Sequence, residues 1–149
     1  MNQSIQKLER LLAETERYMS SCTPEDLSKK PAPNKWSKRE ILGHLIDSAI
    51  NNLQRFTEIQ YAEKPYLIRN YRQDDLVLVN DYQHAELQEL LTLWKALNRR
   101  IGILMAAQTE STLSYQIQFA DYSTSDLKFL MTDYVEHMEH HILQIRRVH

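Results

Sequence analysis

Glycine is nearly missing from this chain. Only Gly43 and Gly102 occur in 149 residues, against an average usage of about 7%. Few positions can therefore adopt left-handed turn geometry at low cost. That disfavours a glycine-rich phosphate loop and most tight hairpins, and it favours long helices. Cysteine is scarcer still. Cys22 stands alone, so no internal disulfide can form and the chain suits a reducing compartment. No charge of one sign dominates: the formal net charge is −2, which leaves no basic excess to hold nucleic acid by its phosphates. No apolar run approaches the roughly 20 residues that span a bilayer, and the N-terminal MNQSIQKLERLL lacks the apolar stretch of a signal peptide. The expectation is a cytoplasmic protein with no nucleic-acid partner and no membrane partner.

What is present suits one domain over residues 1–149. The chain is 42% hydrophobic and long enough to bury a sizeable core without staples. Four helical segments can be read and no internal repeat. The first runs from about Gln3 to Ser20, with Ile5, Leu8, Leu11 and Leu12 on one stripe. It ends before SCTPEDLSKKPAPNK, whose three prolines rule out a continuous helix. Ser37 and Glu40 then form an S-x-x-E capping box, with Trp36 and Ile41 placed as a hydrophobic staple. The second helix they start should reach about Gln60. Residues 61–79 carry no clear helical period, and a connection this long is usually functional or hides structure. The third helix is expected from Asn80 or Asp81 to about Ala107, on a stripe of Leu87, Leu90, Leu91, Trp94, Leu97, Ile101 and Leu104. Alternation of Leu113, Tyr115, Ile117 and Phe119 in TLSYQIQFADYS reads as a short extended piece. The last helix is expected from Ser123, with Asp126 in its first turn, to about Arg147. Four helices with substantial connections give an all-α four-helix bundle, a fold that can build metal sites from side chains on facing helices.

The last helix carries EHMEHHILQIRRV. His137 and His141 are four apart and lie about 40° from each other around the helix, the usual spacing of two metal ligands. His140 projects roughly 80° from their mean direction. Leu130, Tyr134, Met138, Ile145 and Val148 form the apolar arc, and His137 and His141 fall within or beside it. Such a pair can bind a metal or simply edge the core. A third ligand must come from elsewhere, and His44 is the candidate. Glu40, His44, Asp47, Ser48, Asn51 and Arg55 form one polar stripe of the second helix, opposite Leu42, Leu45, Ala49, Leu53 and Phe56. The stripe is either a solvated face or the wall of a polar cleft, and periodicity does not decide. His84 sits near a helix start, and His149 is the last residue.

Taken together, PAPNKWSKREILGHLIDSAINNLQRF and, about ninety residues later, YVEHMEHHILQIRRV resemble the DinB-like superfamily, the DinB/YfiT group. The markers are W-S before the second helix, G-H-L inside it, and H-x-x-H-H-x-x-Q-I near the end. The resemblance covers nearly the whole chain. It implies a bundle of up-down-down-up topology and a divalent metal ion, zinc or nickel before iron or manganese, held by His44, His137 and His141, with His140 not a ligand. It also implies a homodimer, for which Tyr115, Phe119 and Tyr122 could serve an interface or equally the monomer core. Some members resemble S-transferases or isomerases that use a low-molecular-weight thiol, and others are metal-dependent hydrolases.

Three neutral imidazoles leave such an ion its full charge and at least one open position. That permits attack by an activated thiol, or hydrolysis by an activated water, on a small-molecule substrate. H-E-x-x-H and H-x-x-E-H are both absent, because Met138 and His140 hold the glutamate positions, so the usual general base of a zinc peptidase is missing. Asp47 and Glu40, one turn either side of His44, could orient its ring or act as base, or could be solvated charges. Tyr134 and Gln144, one turn either side of the histidine pair, could line the cleft and take part in catalysis. Arg55 could hold an anionic substrate group, with Asn51 beside it. The competing reading is a bundle without catalysis, in which the metal staples helices or serves sensing, or a dimerisation module. A closed sphere with His140 or His84 as fourth ligand would favour it.

Overall fold

The chain is described here by a computed structural model covering residues 1–147; Val148 and His149 lie outside the described residues. Helix α1 runs over Asn2–Ser20 and buries Leu8, Leu11 and Met19. Thr23 then caps a short helix, α2, Pro24–Ser28, with proline at its first turn, where a missing N–H costs nothing. Helix α3, Lys38–Glu58, starts on the expected capping box. Ser37 Oγ accepts from the Glu40 amide at 3.2 Å, and Glu40 Oε1 accepts from the Ser37 amide at 3.0 Å.

The stretch without helical period contains structure after all. It holds strand β1, Tyr66–Leu67, and helix α4, Gln73–Val79. The third long helix, α5, spans Leu87–Ala106, so its expected start at Asn80 or Asp81 is corrected. Asp81 adopts a left-handed conformation (φ 50°) and the chain makes a 3-10 turn over Tyr82–His84 before Ala85 extends. This reversal brings Tyr82 back onto α3. After α6, Glu110–Leu113, strand β2, Gln116–Gln118, pairs in parallel with β1 and antiparallel with β3, Thr124–Asp126. Helix α7 therefore begins at Leu127, not Ser123, and ends at Arg147. Strand pairing holds residues 124–126 extended, and Asp126 Oδ1 accepts from the Phe129 amide at 2.9 Å, capping the helix from outside its first turn.

Cross-helix contacts fix the bundle's directions. Lys7 meets Glu136 and Arg146 meets Glu14, so α1 and α7 run parallel. Lys38 Nζ donates to the Ile145 carbonyl at 2.8 Å, while Phe56 packs on Tyr134, so α3 opposes α7. Glu16 pairs with Lys95 and Leu8 faces Gly102, so α5 opposes α1. The order is up-down-down-up. Exposed ion pairs contribute little stability; they mark the register that the apolar core holds. That core is Leu8 and Leu11 of α1, Ile41, Leu42, Leu45, Ile46 and Phe56 of α3, Leu91, Trp94 and Ile101 of α5, and Met131, Val135, Met138 and Ile145 of α7, all buried. Tyr115 and Phe119 pack against it, whereas Tyr122 is exposed. No helix among the described residues is long and apolar enough to cross a membrane.

Helix α3 lies against both α5 and α7. Its polar stripe is consequently enclosed: Glu40, His44, Asp47 and Ser48 are buried, and the solvated-face alternative is out. Gly43 lets the turn at Tyr82 close on the same helix. A methyl group there would overlap Cδ2 and Cγ of Tyr82 and lie 2.7 Å from its Cβ. Inside a helix, alanine is ordinarily preferred to glycine by about 0.8–1.0 kcal/mol. Here the sign reverses: Gly43→Ala is expected to lose about 1–3 kcal/mol, the usual size of an overpacking strain, measured as a lower urea midpoint. Equal or greater stability would refute the account of Tyr82.

Candidate metal centre

Helix α3 presents His44 from one side of the bundle interior and α7 presents His137 and His141 from the other. Their ring centroids are 4.5 Å apart for His44–His141 and His137–His141, and 5.3 Å for His44–His137. One nitrogen from each ring falls within 4.8 Å of the other two. Metal–nitrogen bonds of about 2.0–2.1 Å in a tetrahedral arrangement would bring them to roughly 3.4 Å.

His44 is fully buried, and neither of its ring nitrogens has a hydrogen-bond partner. Leaving a buried polar group unpaired costs about 1–3 kcal/mol, so an unpartnered imidazole beside two others has the chemistry of a ligand for a cation. Burial, with the rings of His141 and His137 adding, holds the His44 pKa down to about 3. Burial, then His141 and His140, holds His137 at about 4. Burial also lowers His141, opposed by its hydrogen bond to Gln144. All three are therefore neutral at pH 7, with lone pairs free for a cation. His141 Nδ1 lies 2.8 Å from Gln144 Oε1. With an amide oxygen opposite, Nδ1 carries the hydrogen and Nε2 is the bare nitrogen. Gln144 is thus a positioning residue for this ring. Trp36, expected only as a staple, sets its indole 4.9 Å from His44 and 6.5 Å from His141.

A cavity of about 310 Å³ opens beside His137, lined also by Ser48, Asn52, Arg55, Tyr71, Asp133 and Tyr134. The other expected site residues divide. Asp47 turns to Tyr82, whose hydroxyl donates to Oδ1 at 2.6 Å; Oδ2 is buried without a partner, and burial raises the carboxyl pKa. It makes no bond to His44. Glu40 is taken up by the capping box and by Lys30 at 3.0 Å. Tyr134 lines the cavity, but its hydroxyl donates to Asn98 Oδ1 at 2.5 Å, and burial pushes its pKa far up. Arg55 reaches the cavity. Asn51 does not: it lines a neighbouring hollow and donates to the Asp47 carbonyl at 2.8 Å. His140 and His84 are exposed, and His84 pairs with Asp81. Among the described residues the histidine group has no fourth protein ligand.

Asn52, Trp36, Tyr82 and Asp133 are the residues that sequence reasoning missed or undervalued. Asp133 had a signal, because it sits one turn before His137 on the same face. Tyr82 had none locally, since only the left-handed turn at Asp81 aims it at α3.

Comparison with known proteins places the chain among metal-dependent relatives of the same fold. The chain is 24% identical over 122 residues, 82% of this chain and 70% of the relative, to "Putative metal-dependent hydrolase BH0277" of Halalkalibacterium halodurans. It superposes on YfiT from Bacillus subtilis, described as a probable metal-dependent hydrolase with an unusual four-helix bundle topology, with a TM-score of 0.89 and 26% identity, over 99% of this chain and 84% of that one. A mycothiol-dependent maleylpyruvate isomerase shares the fold alone, with a TM-score of 0.75 and 11% identity, over 97% of this chain and 60% of that one. The DinB superfamily model matches residues 7–145. With that match over nearly its whole length, the chain belongs to the DinB superfamily.

Proposed function

We propose that the chain is a metalloenzyme in which His44, His137 and His141 hold one divalent ion, and that it transfers a low-molecular-weight thiol to a small electrophilic substrate. The observation that carries the reading is His44, buried and unpartnered at both nitrogens beside two other neutral imidazoles, one of which, His137, lines an open cavity. Three protein ligands leave a position for a reactant, as catalytic sites require and closed structural sites do not. When bound, such an ion supplies Lewis acidity, deprotonating a thiol outright or drawing the pKa of a water towards neutrality.

The protein's own groups favour the thiol. Asp47 and Glu40, the carboxylates nearest His44 in sequence, are turned to Tyr82, Ser37 and Lys30, so neither serves a proton at the cavity. A thiol bound to the ion would lose its proton to solvent outright and needs no such base, whereas a water whose pKa is only drawn near neutrality gains from one. Tyr134 lines the cavity, Trp36 packs on His44 and His141, and Gln144 leaves the His141 Nε2 free for an ion. Hydrolysis is the second reading, favoured by one feature: Asp133 lines the cavity beside His137 and could take a proton from water.

Zinc-reconstituted protein should consume a small thiol in the presence of an alkylating electrophile, and Asp133→Asn should leave that rate within about twofold. If ester cleavage without thiol is the faster reaction, and Asp133→Asn lowers it by about 10²-fold, the size of a lost general base, the hydrolytic reading replaces the first. If metal-loaded protein does neither, the enzyme reading fails and a non-catalytic metal-binding bundle remains.

A further inference from the structure

Beyond the histidine cavity lies a larger one, about 620 Å³, lined among others by Arg55, Glu58, Glu63, Tyr66, Arg69 and Asn70. Both volumes fall in the range of small-molecule sites. The two cavities share Arg55 and Asn70, so they meet at those side chains.

The charges of the larger cavity make no ion pair with one another. Among the described residues, neither Arg55 nor Arg69 lies within ion-pair distance of a carboxylate, and neither Glu58 nor Glu63 of a cation. Arg55 is half-buried and held in place. It donates to the Arg69 carbonyl at 2.5 Å and to Asn52 Oδ1 at 3.3 Å, and it stacks 5.5 Å from the Tyr71 ring centroid. A guanidinium has five N–H donors, so this anchoring orients the fork and leaves donors over. Glu58 is held an anion chiefly by neutral donors, Gln54 and Tyr66, each at 2.8 Å, with the Arg69 charge a smaller influence from beyond ion-pair distance. A half-buried cation outside ion-pair distance of any carboxylate, in one cavity with carboxylates outside ion-pair distance of any cation, complements a molecule carrying both signs close together.

We propose that the larger cavity is a subsite for the zwitterionic head of an amino-acid-derived small molecule. Its carboxylate faces Arg55 and Arg69, its ammonium faces Glu58 and Glu63, and the remainder of the molecule points toward the histidine cavity. The proposal rests on the reading above for the use of the subsite, since it names the class of molecule delivered to the metal. Binding of the head itself needs no metal, so the two fail separately.

The test is a set of NMR titrations of the whole chain, with and without zinc, using L-norleucine, hexanoate and pentylamine, which differ only in keeping both charged groups or one. Norleucine is expected to bind at least about tenfold more tightly than either of the others, the worth of one charge-assisted hydrogen bond, and equally with or without zinc. Arg69→Ala and Glu63→Gln alter exposed side chains, and each should weaken norleucine by about tenfold. Hexanoate binding as well as norleucine, with Glu63→Gln silent, would reduce the cavity to an anion site and overturn the proposal, as would the absence of saturable binding by all three. Norleucine binding that survives in protein unable to take up zinc would keep the subsite and sink the metal reading alone.

Discussion

Replacing His44 with alanine is expected to abolish tight metal binding while leaving the helical fold in place. A four-ligand zinc site is worth about 10–16 kcal/mol, so one ligand contributes roughly 3–4 kcal/mol and its loss lowers affinity by a factor of roughly 10²–10³. His141→Ala should do the same from the other helix. Gln144→Leu should be graded, about 10–100-fold, because it removes the group that sets the His141 tautomer but not the ligand. His140→Ala should change nothing, since that ring lies outside the cluster. Competition against a fluorescent zinc chelator measures all four, and circular dichroism checks the fold. A His44→Ala protein that kept wild-type affinity, or a His140→Ala protein that lost it, would move the site off these three residues.

Acid should unfold the metal-free protein early, and His44 should be a principal cause. In the unfolded chain this imidazole takes up a proton near its ordinary value of 6.5; in the folded protein burial delays protonation until about pH 3, and His137 until about pH 4. Between those limits the unfolded state binds more protons, so stability falls as pH drops. The loss starts near pH 6.5, approaches roughly 1.4 kcal/mol per pH unit for each histidine held neutral, and is complete below the folded values. Asp47, raised by burial, works in the opposite direction at the acid end. Chemical denaturation of metal-free protein at pH 7.0, 5.5 and 4.5, all chosen within or above this window, should show the fall. His44→Leu, which has nothing to protonate there, should flatten it. Parallel curves for wild type and His44→Leu would mean that the ring is not held neutral by the fold. Zinc should oppose the loss at mildly acidic pH, because it binds only the folded, unprotonated site.

Some of the molecule could be read along the chain because it is local. Ser37 and Glu40 are three residues apart and satisfy each other's helix-end groups whatever surrounds them, so the start of α3 was legible. The stripe from Leu87 to Leu104 revealed α5, and the spacing of His137 and His141 put both rings on one face of α7. Boundaries were less legible. Local signals favoured starting α5 at Asn80 and α7 at Ser123, but the left-handed turn at Asp81 seats Tyr82 on Asp47 of α3, and Thr124–Asp126 is held extended in a sheet whose other edge is Tyr66–Leu67, both partners far away in sequence.

What the sequence alone determined, then, was the helices, their caps and which side chains share a face. Only the tertiary structure decided what each face meets. The stripe of Glu40, His44, Asp47 and Ser48 has the pattern of a solvated surface, yet it is buried because α3 packs against α5 and α7 together. Asp47 was adjacent to His44 by helical spacing, yet Tyr82 takes it, through a close approach that Gly43 permits. Helical periodicity records direction around one axis; burial, hydrogen-bond partners and the two cavities that meet at Arg55 depend on where the neighbouring axes lie, and those are set by the packing of all four long helices at once.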